Sequence, residues 1–219
     1  MKKKILFCFM IAALCLSSMG CGSTATTESA GNESSTQMTV EDVETTTGDE
    51  GNSTSDSAEL NTCWEKDFYV DEFDEPTDDW YIRGTNDTGA VTNAKFSNSA
   101  TSNSELLVQI LVDSEEVTIF LYEYGSNQLK NSSSYSDDTF SITLRTASGE
   151  ESSFKGTLYG NGGDRIYLNK AGRKAIKKAL KGDEAFKLYI VEDDMQTSTY
   201  LFSVEPSNFG ELYKEAKNQ

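Results

Sequence analysis

No histidine occurs anywhere in the 219-residue chain. Serine-histidine-aspartate and cysteine-histidine catalysis are therefore excluded, along with histidine as a metal ligand or as a proton shuttle near neutral pH. Proline is scarce at two residues, which excludes a proline-rich scaffold. Positive charge is short: 19 basic residues stand against 36 acidic ones, a formal charge of −17. General nucleic-acid binding needs a basic footprint to displace counterions, so no nucleic-acid partner is expected. Long apolar runs are missing as well. The run from Ile5 to Leu16 has twelve residues, against the roughly 20 of a membrane-spanning helix.

That run has informative flanks. Met1-Lys2-Lys3-Lys4 precedes it and Ser17-Ser18-Met19-Gly20 follows it, the order of charge, apolar core and small residues found in secretory signals. Leu16-Ser17-Ser18-Met19-Gly20-Cys21 resembles the lipobox of bacterial lipoproteins, with Ser18 where that family usually has leucine. The resemblance implies cleavage after Gly20 and diacylglycerol on the thiol of Cys21. It also implies an extracytoplasmic protein, lipid-anchored to a bacterial membrane, because two or more acyl chains make a stable anchor. Without its three leader lysines the chain keeps 16 basic and 36 acidic residues. An anionic leaflet repels such a chain, so the lipid must do the holding.

Of the four cysteines, Cys8 and Cys15 would leave with the leader and Cys21 would carry lipid. Cys63 is left alone beside Trp64, Glu65 and Asp67. Acidic neighbours disfavour a thiolate, so a packed or idle cysteine is expected rather than a reactive one.

Three segments follow from composition. Residues 1–20 read as the lipoprotein signal peptide. Residues 21–60 read as a lipidated, acidic, Ser/Thr-rich disordered tether. From 22 to 60 there are nine acidic residues and no lysine, arginine or aromatic side chain, too little apolar surface to offset chain entropy. Residues 61–219 read as one β-rich globular domain, its pattern mostly of period two. Leu106, Val108, Ile110 and Val112 share a face opposite Leu107 and Leu111, and Val117, Ile119 and Leu121 oppose Phe120 and Tyr122. Residues 113–116 form the turn between them. Further strands are expected over 64–70, 80–82, 139–145, 152–159 and 165–168. Phe186, Leu188 and Ile190 are expected to pair with Tyr200, Phe202 and Val204. A helix is expected over 170–181 with Gly182 at its C-cap, and a last helix through Phe209, Leu212, Tyr213 and Ala216, capped by Ser207 or Asn208. The fold class expected is mainly β: an antiparallel sandwich or open barrel of about 8–9 short strands with two short helices.

Charge is distributed unevenly. Residues 165–181 hold seven basic residues and no acid, in a domain with nine basic and 27 acidic residues elsewhere. Lys170, Arg173, Lys174, Lys177, Lys178 and Lys181 are the candidate anion-binding residues, for a wall polymer or phospholipid headgroups. Two other readings are a solvated helix face whose last lysines favour the helix dipole, and an internal contact with the acidic tether or with residues 71–79. That segment packs six carboxylates into nine residues. It fails the EF-hand pattern, with Phe73 and Pro76 at positions 3 and 6, and reads as a solvated acidic loop or a calcium site. Gly160-Asn161-Gly162-Gly163 is a hairpin turn rather than a phosphate loop, since no Gly-Lys-Ser/Thr follows. Trp64, Phe68, Tyr69, Trp80 and Tyr81 are core and edge packing or a sugar-stacking platform. No metal and no cofactor are expected.

The stretch from Trp64 to Thr77 with Tyr81-Ile82 resembles a segment recurring in uncharacterised exported proteins of gut-type bacteria. The end of the chain, from Gly182 through Phe209 to Lys217, is faintly similar to the close of invasion-associated locus B proteins. Neither resemblance implies an activity or a functional residue. The reading that results is a membrane-anchored cell-envelope lipoprotein with a non-enzymatic binding or assembly domain, its partner an anionic wall polymer or envelope protein. The alternative is a carboxylate-dependent envelope hydrolase acting on glycans, which needs two carboxyls about 5–10 Å apart in a cleft.

Overall fold

Period-two alternation places every second side chain on one face, and this pattern builds most of the domain into strands. The computed structural model describes residues 62–129, 136–160, 163–194 and 198–219. The expected signal peptide, Cys21 and the expected tether lie outside the described residues. In chain order the elements are β1 (Glu65–Val70), β2 (Pro76–Thr85), β3 (Val91–Ser97), β4 (Ser104–Asp113), β5 (Val117–Glu123), β6 (Asn127–Gln128), β7 (Asp138–Thr146), β8 (Glu151–Leu158), β9 (Arg165–Leu168), α1 (Lys170–Leu180), β10 (Phe186–Glu192), β11 (Thr199–Val204) and α2 (Phe209–Lys217).

The strands pair antiparallel in the order β4-β3-β11-β10-β7-β8-β9-β5, and β5 pairs back onto β4. The result is a closed eight-stranded barrel, which corrects the expectation of a sandwich or open barrel. Closure follows from β5, which gives one edge to β4 and the other to β9 and β6. Full closure leaves the wall without an exposed edge.

β2 and β3 share the second edge of β4. β3 pairs at Ser104 and Glu105, and β2 pairs from Gln109 to Asp113. The β1–β2 hairpin therefore leaves the wall as a flap. Its Tyr69 and Tyr81 pack on Leu111 and Phe120 in a separate apolar cluster, while Val108, Ile110, Val112, Val117, Ile119 and Leu121 belong to the main core. The flap explains why β4 and β5 are apolar on both faces. β2 is paired on both sides, with β1 and with β4, and is no edge strand.

Register follows the apolar pattern closely. Phe186, Leu188 and Ile190 lie opposite Val204, Phe202 and Tyr200. β3 was not expected, for a physical reason: Val91 and Phe96 are both buried but stand an odd number of residues apart. Asn93 takes a φ of 53°, and the register with β11 shifts between Leu201 and Ser203. A bulge of this kind hides period two from a reading of the sequence. β2 is longer than expected and opens on Pro76, a position where a missing N–H costs nothing in the ladder.

Ile176 and Leu180 of α1 and Phe209 and Tyr213 of α2 join the main core. α1 begins at Asn169, whose side chain accepts from the Gly172 N–H at 2.9 Å. It ends differently from expectation. Lys181 is the C-cap, with right-handed φ −89° and ψ −2°, and Gly182 follows it, donating its N–H to the Ala179 carbonyl at 3.0 Å. No helix among the described residues is long and apolar enough to cross a membrane.

Candidate functional site

The helix with the anomalous charge is built on three buried residues, Gly172, Ile176 and Leu180, spaced four apart along one face. Gly172 is required by contact: a Cβ there would lie 2.5 Å from the Phe154 ring. This orientation divides the six candidate anion-binding residues. Arg173 and Lys177 turn to the β4–β5 turn, whereas Lys170, Lys174, Lys178 and Lys181 are exposed.

The turn is a backbone-rich anchor. Asp113 accepts the N–H groups of Glu115 and Glu116 on Oδ1 at 2.8 and 2.7 Å, and the Tyr69 hydroxyl donates to its Oδ2 at 3.0 Å. Lys177 Nζ donates to the carbonyls of Asp113 and Ser114 at 2.8 and 3.2 Å. Arg173 donates to the Glu115 carbonyl at 3.2 Å and forms an ion pair with Glu116. Burial in this contact holds the Lys177 pKa below the ordinary lysine value, and the Asp113 charge partly offsets it. Among the described residues, the internal partner of Arg173 and Lys177 is thus this turn rather than residues 71–79.

At the far end of α1, Lys181 Nζ stands 5.4 Å from the centre of the Tyr213 ring, and Lys217 of α2 stands 5.5 Å from it. Tyr213 meets Trp80 edge to face at 5.8 Å. Stacked cations of this kind stay available to an anion on their outer side.

At its opposite end α1 borders a groove of about 420 Å³ lined by Glu116, Thr157, Tyr159, Tyr167, Leu168, Asn169 and Arg173. Tyr159 and Tyr167 hold their ring centres 5.4 Å apart at 53°. The sequence reading missed this groove. Its signal was an aromatic residue on each side of the glycine-rich segment 160–163, whose flanking strands β8 and β9 pair antiparallel.

A second groove of about 420 Å³ lies between α1 and the β7–β8 turn, with Leu144, Ala175, Ala179 and Phe186 as apolar lining and Glu150, Asp183 and Glu184 beside them. All three carboxylates are solvent-exposed.

Elsewhere Ser141, Lys155 and Asp193 meet on β7, β8 and the segment after β10. Ser141 Oγ donates to Asp193 Oδ1 at 2.5 Å, and Lys155 Nζ donates to Ser141 Oγ and Asp193 Oδ2 at 2.7 and 2.8 Å. The hydrogen bonds from Lys155 and Ser141 hold the Asp193 carboxyl below its ordinary range. A carboxylate held in this way is a weaker base than a free one. The cluster pins neighbouring strands.

The acidic segment is a loop over residues 71–75, which carry four of the six carboxylates, and only Asp78 and Asp79 belong to β2. Asp71 Oδ1 accepts the N–H groups of Phe73 and Glu75 at 2.8 and 3.0 Å. Among the described residues no group of three or more acidic or cysteine side chains is arranged to hold a metal ion. Cys63 is a free, half-buried thiol packed against the core. Trp64, Tyr69 and Tyr81 are buried and Trp80 packs against the core, so these four are packing residues, whereas Phe68 is half-buried. No family model, no curated protein and no solved structure matches the chain.

Proposed function

We propose that this chain is an extracytoplasmic lipoprotein, held to a bacterial membrane by lipid on Cys21, whose barrel domain is a non-catalytic binding or assembly module. The observation that carries the binding part is the division of α1. Two of its cations are committed to the β4–β5 turn, while Lys170, Lys174, Lys178 and Lys181 project from a domain that is otherwise acidic. Individual exposed contacts are weak, about 0.2–1 kcal/mol each, but several on one polyanion add. The barrel interior is filled by side chains such as Phe96, Phe120's neighbour Ile119, Ile142 and Phe202, so a ligand is met on the outer surface. An anionic envelope polymer, or an acidic envelope protein, is the partner that fits.

The anchor is tested by feeding cells labelled palmitate and comparing the natural chain with Cys21→Ala. Label on the first and none on the second is expected; equal labelling refutes the anchor. The binding part is tested by titrating the purified chain onto immobilised polyanions while salt is raised. Retention that falls as the Debye length shrinks from roughly 14 to 6 Å is expected. Absence of retention on every polyanion refutes it.

A further inference from the structure

We propose that the groove between Tyr159, Tyr167 and the start of α1 is a binding site for an acidic polysaccharide. The inference rests on the reading of the domain as a binding module and names the ligand class and place.

The groove combines two kinds of surface. Tyr159 is 46% exposed although it is a large aromatic residue. Its ring and that of Tyr167 meet at 53°, which leaves two apolar faces set at an angle around a concave surface. A pyranose ring presents axial C–H bonds on its faces and hydroxyls around its rim, so it stacks on such faces while its rim seeks hydrogen bonds. The rim partners are present. Thr157 and Asn169 line the groove. The Asn169 Oδ1 is taken by the Gly172 N–H, which leaves the amide Nδ2 as a donor. Arg165 donates to the Tyr167 hydroxyl at 3.4 Å, fixing that ring from behind while its guanidinium stacks on Phe120 at 4.7 Å.

Charge selects among glycans. Lys170 and Lys174 are exposed, one helical turn apart, on the side of α1 that carries the groove residue Arg173. Glu116, the one acid in the lining, is neutralised by its ion pair with Arg173. A neutral glycan would use the tyrosines alone, and a protein polyanion would use the lysines alone. A sugar chain bearing carboxylate or phosphate groups uses both.

The test uses the full chain purified with detergent and passed over beads carrying polygalacturonate, dextran or polyglutamate. Strongest retention on polygalacturonate is expected. Tyr159→Ala, at an exposed position, is expected to weaken that retention about tenfold and leave polyglutamate unchanged, and Tyr159→Phe to restore it. Lys170→Gln with Lys174→Gln is expected to weaken polygalacturonate retention, and Lys178→Gln with Lys181→Gln to leave it nearly intact. Equal retention on polygalacturonate and polyglutamate, unaffected by Tyr159→Ala, overturns the glycan site while the binding-module reading stands. No retention on any of the three overturns both.

Discussion

Asn208 grips the backbone of Trp64 from both directions. The Trp64 N–H donates to Asn208 Oδ1 at 3.0 Å, and Asn208 Nδ2 donates to the Trp64 carbonyl at 3.0 Å. The two residues are 144 positions apart. The indole adds a third tie, its Nε1 donating to the Glu205 carbonyl at 2.7 Å, and its ring meets Phe209 edge to face at 5.1 Å. The first described strand and the last helix are thereby fastened together. Asn208 occupies the N-cap position of α2, yet its side chain makes no cap hydrogen bond. A residue type favoured for local capping is used for long-range closure instead.

Asn208→Ala therefore removes two hydrogen bonds to half-buried backbone groups and is expected to cost about 1–3 kcal/mol in urea unfolding. Asn208→Ser separates the two roles. Serine is as good an N-cap as asparagine but lacks the paired donor and acceptor that span the Trp64 peptide. Full recovery of stability in the serine variant would assign the residue to capping and refute the clamp.

The two helix glycines are expected to respond with opposite sign. At Gly172 an added Cβ falls 2.5 Å from the Phe154 ring, inside any tolerable contact, and overpacking of about 1–3 kcal/mol outweighs the gain in helix propensity. At Gly210 the nearest atoms, in Lys181, are 3.9 and 4.0 Å away. Gly210→Ala is expected to stabilise the fold by up to about 1 kcal/mol and so raise the unfolding midpoint. Thermal melts of the two variants decide the matter, and a shift of the same sign in both would show that Phe154 yields to the new methyl.

Much of this fold is legible in local pattern, because strands with one buried face must alternate. The pairing of Phe186 with Val204 follows from that rule, and the body of α1, though not its C-cap, follows from the apolar stripe of Ala175, Ile176, Ala179 and Leu180. What stays hidden depends on non-local contact. Closure rests on the pairing of β5 with β9, of which no single segment carries a sign. β3 is masked by the bulge at Asn93. For the candidate site, the cations of α1 stand out in the sequence, but their division does not, since Lys174 and Lys177 differ only in what the helix faces. The groove at Tyr159 and Tyr167 needs the hairpin to bring both rings together.

Alkaline unfolding follows from two buried tyrosines. Tyr69 donates to Asp113 and Tyr200 to Glu123 at 2.9 Å. Burial, reinforced by these carboxylates, pushes both hydroxyl pKa values above the ordinary tyrosine value. The unfolded chain then loses these protons first, near pH 10, while the folded chain keeps them. Their contribution is fully present below about pH 10 and is lost as pH rises beyond it. Lys177 acts with the opposite sign, because burial lowers its pKa. Tyr69→Phe with Tyr200→Phe is expected to flatten the fall in stability between about pH 9 and 11. An unchanged slope in that double variant refutes the assignment.

The committed and free cations of α1 are expected to separate in stability. Lys177→Met keeps an unbranched aliphatic stem but leaves the carbonyls of Asp113 and Ser114 without the donor they have at 2.8 and 3.2 Å. Burial of the ammonium already costs something, as its lowered pKa indicates, so the net loss is about 1–2 kcal/mol rather than the full value of two charged hydrogen bonds. Lys174→Gln, at an exposed position, is expected to stay within about 0.5 kcal/mol of the natural chain. Urea midpoints of the two variants measure the difference directly. If they coincide, the turn does not depend on α1 for its order, and Lys177 belongs with the exposed cations that a polyanion meets.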